Sequence, residues 1–124
     1  MSSKKEKTAG YISELKPILK QEGFDLHRVV GAAFNMILMG AEGKICLGKL
    51  VYSETGKYYL SKIKDDINEL YRISKQFSVF IIIAIRFTDP VAPRLGVCWS
   101  IIGVSSEMPM SVSKNPEKEI EFID

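Results

Sequence analysis

An unbroken apolar run at residues 79–85, VFIIIAI, is the feature that most limits the fold of this chain. Side chains on a strand alternate between its two faces, so a strand here would be apolar on both faces. Such strands lie at the centre of sheets that are covered on both sides. The run is much shorter than the roughly 20 residues that a membrane-spanning helix needs. It therefore predicts a buried central strand with helices on both faces of the sheet, and no membrane role.

The length of 124 residues suits one domain with an adequate core, since 46% of the residues are hydrophobic. A formal net charge of +2 is too small for the whole surface to bind polyanions, so any contact with nucleic acid would be local. The beginning, MSSKKEK, lacks the apolar core of a signal peptide and predicts a cytoplasmic protein. We predict a single domain over residues 1–124, with its core at about 8–104 and a polar, acidic tail at 105–124.

Apolar spacing and turn residues predict two helices and five strands. The helices are expected at residues 8–21 and 62–77. Pro17 should bend the first helix or break it near Ser13, and Ser61 should cap the second. The strands are expected at residues 24–30, 33–39, 45–52, 79–85 and 95–104. The order α-β-β-β-α-β-β is typical of an α/β fold with a mixed sheet flanked by helices.

The third predicted strand lies in the segment KICLGKLVY, residues 44–52, and carries a glycine and a lysine at its centre. Gly48 has no side chain, and Lys49 is a lone cation among apolar neighbours. Because the faces alternate along a strand, Lys49 must point to the face opposite to Gly48 and Leu50. A missing side chain and a charge are both unusual at the centre of a buried strand, so each requires a structural or functional explanation.

Several segments, in their serial order, resemble the archaeal Holliday junction resolvase family, small homodimeric nucleases of the restriction-endonuclease-like fold. The resemblance covers about residues 4–104, and the order of the pieces at nearly matching lengths is its most informative part. The segments are KKEK, ELKPILKQEGF, HRV, FNMILM, ICLGKLV and INELYRISKQFSVFIIIAIRF. The resemblance implies a restriction-endonuclease-like mixed sheet flanked by helices.

The resemblance also implies where catalytic groups would stand. Resolvases of this family carry a Glu on the first helix, an Asp on the second strand and Glu-x-Lys on the third, and the carboxylates hold magnesium. The corresponding positions here are Ile12, Asn35, Gly48 and Leu50. Since a hard divalent cation prefers carboxylate ligands, these residues predict a pseudo-nuclease that binds no metal, needs no cofactor and is not an enzyme.

The same resemblance implies binding surfaces. It assigns DNA contacts to Lys4, Lys5, Lys7 and Arg28, and a dimer interface to Ile73 and Phe77. The expected partners are branched or duplex DNA, a second copy of the chain, and a recombination or repair protein. The leading hypothesis is therefore a dimeric factor of recombination or repair that binds DNA without cutting it.

Two alternatives stay open from the sequence. The first is a non-catalytic structural subunit of an archaeal tRNA-splicing endonuclease, which GAAFNMILM and residues 71–84 also resemble. The second is an active enzyme whose ligands have moved to Glu14, Asp25 or Glu42. Glu14 lies two residues from Ile12, roughly 200° around the helix axis, and is expected to point away from the site.

The two cysteines, the single tryptophan and the single histidine are each expected to have a structural rather than a catalytic role. Cys46 and Cys98 lie in apolar stretches with no zinc spacing, which predicts two reduced thiols in the core. Trp99 has apolar neighbours and is expected in the core or in an interface. His27 has no nucleophile placed beside it by any motif and is expected to be a surface or hydrogen-bonded histidine.

Overall fold

A computed structural model of the chain describes residues 4–30, 33–88, 98–113 and 120–123. Two α-helices and eight strands follow one another along these residues. They are α1 (Lys4–Gln21), β1 (Asp25–Arg28), β2 (Met36–Met39), β3 (Ile45–Ser53), β4 (Lys57–Tyr59), α2 (Lys64–Phe77), β5 (Phe80–Phe87), β6 (Cys98–Gly103), β7 (Ser111–Ser113) and β8 (Ile120–Ile123). A short 3-10 turn precedes β3, and another precedes α2.

Six strands form one mixed sheet in the order β1-β2-β3-β5-β6-β8, and β4 and β7 form a separate pair. β3 and β5 run parallel at the centre, and β6 and β8 are also parallel. The other neighbours in the large sheet are antiparallel. Residues 81–85 of β5 are all buried. The predicted central strand and the mixed α/β sheet are confirmed.

The two helices cover opposite faces of the sheet. Ile12, Leu15 and Leu19 of α1 pack with residues such as Leu50 and Trp99 in one apolar cluster. On the other face, α2 contributes Ile67 and Leu70 to two further clusters, built on alternate residues of β5 and its neighbours. A different helix therefore shields each face of β5 from water, which is the arrangement that its sequence demands.

Lys49 points toward α2, as the alternation of the strand predicts. Its Nζ lies 3.1 Å from Oδ2 of Asp66 in the first turn of α2, and the lysine side chain is 15% exposed. This ion pair joins the centre of β3 to the start of α2. The charge in the middle of β3 therefore has a structural partner.

Three local expectations about the helices are corrected. The first helix begins at Lys4 rather than at residue 8, because Lys and Glu favour helices and the basic segment simply extends it. Pro17 does not break the helix: both Pro17 and Ser13 are exposed, so water can bond the Ser13 carbonyl oxygen. Ser61 is not the N-cap, since the buried Leu60 draws the chain into a 3-10 turn.

The carboxyl-terminal segment, for which a polar tail is expected, contributes two strands. β7 pairs with β4, and β8 adds a parallel strand beside β6 at one edge of the large sheet. The segments SVS and IEFI alternate polar and apolar residues, but they are too short to be recognised as strands within a polar stretch of sequence. Val112 of β7 is buried against Tyr58 and Leu60, and this gives β7 a place in the fold.

The burial of the isolated residues agrees with expectation. Trp99 is 1% exposed, and Cys46 is buried. Burial raises the pKa of the Cys46 thiol to about 11, so this thiol is protonated at neutral pH. The Cys98 side chain lies outside the part of the chain that the structure describes in full. Among the described residues, no helix has the length and apolar character to cross a membrane.

We expect Asp66→Asn to lower the free energy of unfolding by about 1 kcal/mol, because it leaves the mostly buried Lys49 ammonium without its partner. Asp65→Asn is the matched control: Asp65 is exposed in the same helical turn, so both variants lose a similar interaction with the helix dipole. Urea unfolding of both variants gives the difference. Equal losses would show that the ion pair does not stabilise the fold.

Candidate nucleic-acid interface

Two of the four positions assigned to catalysis are deep in the apolar core. Ile12 is 1% exposed and Leu50 is 3% exposed. Both belong to the cluster between α1 and the sheet, together with the fully buried Met36. A carboxylate placed at either position would lose its hydration without gaining a partner.

Gly48 lacks a side chain because another residue fills its space. A Cβ atom at this position would lie 2.8 Å from Cε of Met36 and 3.3 Å from Cδ1 of Leu38. Met36 is the register partner of Gly48 on the neighbouring strand β2. The missing side chain in the middle of β3 is thus explained by packing: the Met36 methyl group occupies the volume in which a side chain at position 48 would begin.

Asn35 lies just before β2, and its side chain forms two hydrogen bonds with the backbone of β3. Its Nδ2 donates to the Leu50 carbonyl oxygen at 3.1 Å, and the Leu50 N–H donates to its Oδ1 at 2.7 Å. Its own backbone N–H donates to the Gly48 carbonyl oxygen at 2.9 Å. The amide therefore satisfies both backbone groups of Leu50, which a carboxylate could not do.

A polar cluster lies where the parallel strands β3 and β5 end. Arg86 is 11% exposed, and its guanidinium donates to both carboxylate oxygens of Glu14, at 2.8 and 3.2 Å. A third donor, Nη1, bonds the Phe87 carbonyl oxygen. Glu14 therefore faces the sheet, and the expectation that it points away is wrong: the long Arg86 side chain reaches the flank of α1 from β5.

Aromatic rings continue this cluster toward the amino end of α1. The Tyr11 and Tyr52 ring centroids are 5.4 Å apart, and the Arg86 guanidinium lies 5.5 Å from the Tyr11 ring. Nζ of Lys7 lies 5.9 Å from the Tyr52 ring and 3.8 Å from Oε1 of Glu54. These contacts hold the first turns of α1 over the carboxyl ends of β3 and β5.

The predicted DNA-contacting residues fall into two places. Lys4, Lys5 and Lys7 lie on the first turns of α1, at the end of the sheet just described. Lys7 is half-exposed and forms an ion pair with Glu54. Arg28 ends the edge strand β1 and is exposed, at the level of Gly48 in the sheet register.

The two predicted dimer residues differ in their surroundings. Ile73 is partly buried against the cluster of Leu47, Leu70 and Ile81. Phe77, at the end of α2, is 64% exposed. Three further apolar side chains, Met39, Ile45 and Phe80, are exposed at the same end of the sheet.

The three alternative carboxylates do not converge on one point. Glu14 is bound to Arg86, whose register partner on β3 is Tyr52. Asp25 is level with Ile45 at the other end of β3, and Glu42 lies in the turn before it. Tyr52 and Ile45, which mark these two levels, are seven residues apart along β3, or about 23 Å. Within the described ranges, no group of three or more His, Cys, Asp or Glu residues could hold a metal ion.

Comparison with known proteins finds archaeal junction resolvases that are similar in sequence or in fold. No protein-family model matches the chain. The crossover junction endodeoxyribonuclease Hjc of Methanocaldococcus jannaschii is 30% identical over 87 residues, which cover 70% of this chain and 64% of the relative. In sequence and in fold, the chain is similar to the archaeal Holliday junction resolvases. The matched part spans less than two thirds, 64%, of the length of this relative.

A solved structure confirms the predicted fold class. Hjc of Archaeoglobus fulgidus, a Holliday junction resolvase, matches with a TM-score of 0.57 and 19% sequence identity. The match covers 82% of this chain and 79% of the other. The two chains therefore share the restriction-endonuclease-like α/β fold. Neither match is to a subunit of a tRNA-splicing endonuclease, so that alternative gains no support.

The prediction that the chain is not an enzyme is contradicted by the proteins that it is similar to. The matched relative is named as an endodeoxyribonuclease and the structural neighbour as a resolvase, and both are enzymes. The predicted inactivity depended on four motif positions, Ile12, Asn35, Gly48 and Leu50. Their assignment stays a prediction, and inactivity does not follow from the similarity to these enzymes.

Sequence reasoning missed the cluster around Arg86. The sequence pattern places Arg86 only in a packing segment, and Tyr11 and Tyr52 only in a helix and a strand. Tyr52 and Arg86 are register partners on adjacent parallel strands. A signal was present: both residues follow apolar positions at the ends of the two strands predicted to lie deepest, where polar side chains meet at one edge of the sheet.

We expect Gly48→Ala to lower the free energy of unfolding by about 1–3 kcal/mol, because the new methyl group overlaps the Met36 side chain. Gly10→Ala is the control: Gly10 is in α1 with open space around it, and Ala should stabilise the helix by up to about 1 kcal/mol. Thermal unfolding is the measurement. The double variant Gly48→Ala/Met36→Val should recover part of the stability that Gly48→Ala loses. No recovery would mean that the overlap is not the cause.

We expect Asn35→Ala to cost about 1–3 kcal/mol, since the Leu50 N–H and carbonyl groups lose their partners. Asn35→Asp should cost more at neutral pH, where a carboxylate oxygen faces the Leu50 carbonyl oxygen. It should recover part of the loss in acid, where the protonated group can donate. Asn68→Asp, exposed on α2, is the control for urea unfolding at both pH values. A pH-independent loss in the position-35 variant would contradict the assigned hydrogen bonds.

Proposed function

We propose that this protein binds branched DNA in the cytoplasm, in recombination or repair, as a member of the resolvase family. The observation that supports this most is the position of the basic amino end of α1. Lys4, Lys5 and Lys7 belong to the first turns of α1, and Lys7 contacts Tyr52 near the carboxyl end of β3. The relative that is 30% identical is named for its action on crossover junctions.

Physical chemistry supports DNA as the ligand at this end of the sheet. Lysine ammonium groups bind phosphates as point charges, and each contact releases counterions from the DNA. The Tyr11, Tyr52 and Arg86 contacts fix α1 on the sheet, so its lysines are presented from a rigid element rather than from a free tail. The small net charge of +2 keeps this attraction local.

The test is fluorescence anisotropy with a four-way junction, a duplex and a single strand across a salt series. We expect the junction to bind most tightly, with log K falling linearly as log salt rises. Lys4→Gln/Lys5→Gln should lower the slope by up to about 1.8, or about 0.9 for each duplex phosphate that is no longer neutralised. The proposal fails if the unmodified protein binds none of the three DNAs at low salt. Incubation of the same junction with Mg²⁺ or Mn²⁺ measures cleavage in parallel.

The second part of the proposal is a homodimer formed through an apolar patch that we define as Met39, Ile45, Phe77 and Phe80. Met39 and Ile45 face each other across β2 and β3 on the face of the sheet that α2 covers. Phe80 is paired with Cys46, the residue after Ile45, and so lies at the same end of the sheet on the face that α1 covers. Phe77 and Phe80 are both 64% exposed. Two large aromatic side chains this open to water are unusual for a monomer and typical of an interface. The predicted contribution of Ile73 remains a prediction.

Analytical ultracentrifugation tests the dimer. We expect a species of twice 13.9 kDa for the unmodified chain, and a single-chain species for Phe77→Glu, because the charge cannot be desolvated in an apolar interface. Met110→Glu is the control, since Met110 is 81% exposed and lies outside the patch. An unmodified chain that sediments as a monomer at high concentration would refute the interface.

A further inference from the structure

A groove lies between α1 and the edge strand β1, away from the amino end of the helix. It has a volume of about 430 Å³ and is lined from α1 by Lys16 and Lys20 and from β1 by Asp25 and His27. Phe24 and Leu26 contribute its apolar wall. Two lysines against one carboxylate leave the groove with a positive charge.

The two lysines have no role in the fold that explains them both. They are exposed and one helical turn apart, so their like charges repel and cost the helix a few tenths of a kcal/mol. Among the described side chains, no ion pair holds either lysine. Lys20 interacts favourably with the helix dipole because it is in the last turn. Lys16 lies outside that turn and gains nothing from it.

The exposed stripe of α1 connects this groove to the amino end of the helix. Its exposed members are Gly10, Ser13, Lys16, Pro17, Lys20 and Gln21. No carboxylate belongs to the stripe over these residues, because Glu14 is turned into the sheet by Arg86. An anion lying along this stripe would therefore meet no carboxylate of α1 between Gly10 and Lys20.

The distances suit a duplex. Eleven residues of helix separate Lys5 from Lys16, about 17 Å or about five base steps of one strand, and at about 100° per residue the two positions lie on the same side of the helix. Lys16 and Lys20 are about 6 Å apart along the axis, close to two base steps. The spacing within the pair and the spacing between the two ends of α1 both match a phosphate backbone.

We propose that Lys16 and Lys20 form a second phosphate-binding site, and that one duplex arm of a DNA junction lies along α1 between this site and the amino-terminal lysines. This inference rests on the proposed function. It extends the DNA contact of each chain from a single point to the length of a helix, which orients the arm as well as binding it.

The test compares two double variants that each remove two positive charges from one helix. Lys16→Gln/Lys20→Gln removes the proposed site, and Lys64→Gln/Lys75→Gln removes lysines of α2 on the opposite face of the sheet. Anisotropy with a four-way junction across a salt series is the measurement. We expect the α1 variant to bind at least tenfold more weakly at about 0.15 M salt, with a slope lower by about 1.8, and the α2 variant to keep the original slope.

The outcomes separate the two proposals. If the unmodified protein binds the junction and the α1 variant keeps its slope, the second site is wrong and the proposed function stands. Equal losses in both variants also overturn the site, since they would show a general effect of charge. If the unmodified protein binds no DNA, both proposals fail. Thermal unfolding checks that the α1 variant is folded, and we expect little change in stability because removal of the repulsion between the two lysines offsets the lost interaction of Lys20 with the helix dipole.

Discussion

The burial of β5 on both faces is the constraint on which this structure depends. An apolar strand with no polar face cannot lie at a sheet surface, so the chain must supply one helix for each side. α1 and α2 do so, and their positions follow from the strand between them. The parallel pairing of β3 with β5 then brings the ends of both strands to the same edge, where the polar side chains of Tyr52 and Arg86 meet. The proposed DNA-binding end of the molecule is a consequence of this core.

Packing and hydrogen bonding account for the unusual residues of β3 without reference to catalysis. Met36 fills the space beside Gly48, and Asn35 completes the backbone pairing of Leu50. Lys49 is held by Asp66 on the other face. These residues support one another, so a change at one position alters the environment of the next. A single substitution toward a carboxylate at position 48 would have to displace Met36 first.

The parts of the fold that were predictable are those set by long periodic segments. The apolar run of β5 and the spacing of Ile12, Leu15 and Leu19 define the sheet and α1 because burial decides them. β7 and β8 could not be predicted, since three or four residues carry too little pattern and their partners are distant in sequence. The Glu14–Arg86 pair joins residues 72 positions apart, and only the register of the sheet brings them together. The prediction of no enzymatic activity was wrong for another reason: it was drawn from four motif positions alone, and the relative that the sequence matches is named as an endodeoxyribonuclease.

The parallel strand β8 has a consequence for how this chain can be shortened. It pairs with residues 99–102 of β6 and so occupies the hydrogen-bonding edge of the large sheet. Without it, β6 would present an open row of N–H and carbonyl groups next to the apolar residues Ile101 and Ile102. Open edges of this kind recruit strands from other molecules. The short segment IEFI therefore replaces the six-residue edge of β6 with a four-residue edge that carries a glutamate, and a version that ends at residue 113 would expose the β6 edge while keeping every residue of the proposed DNA-binding end.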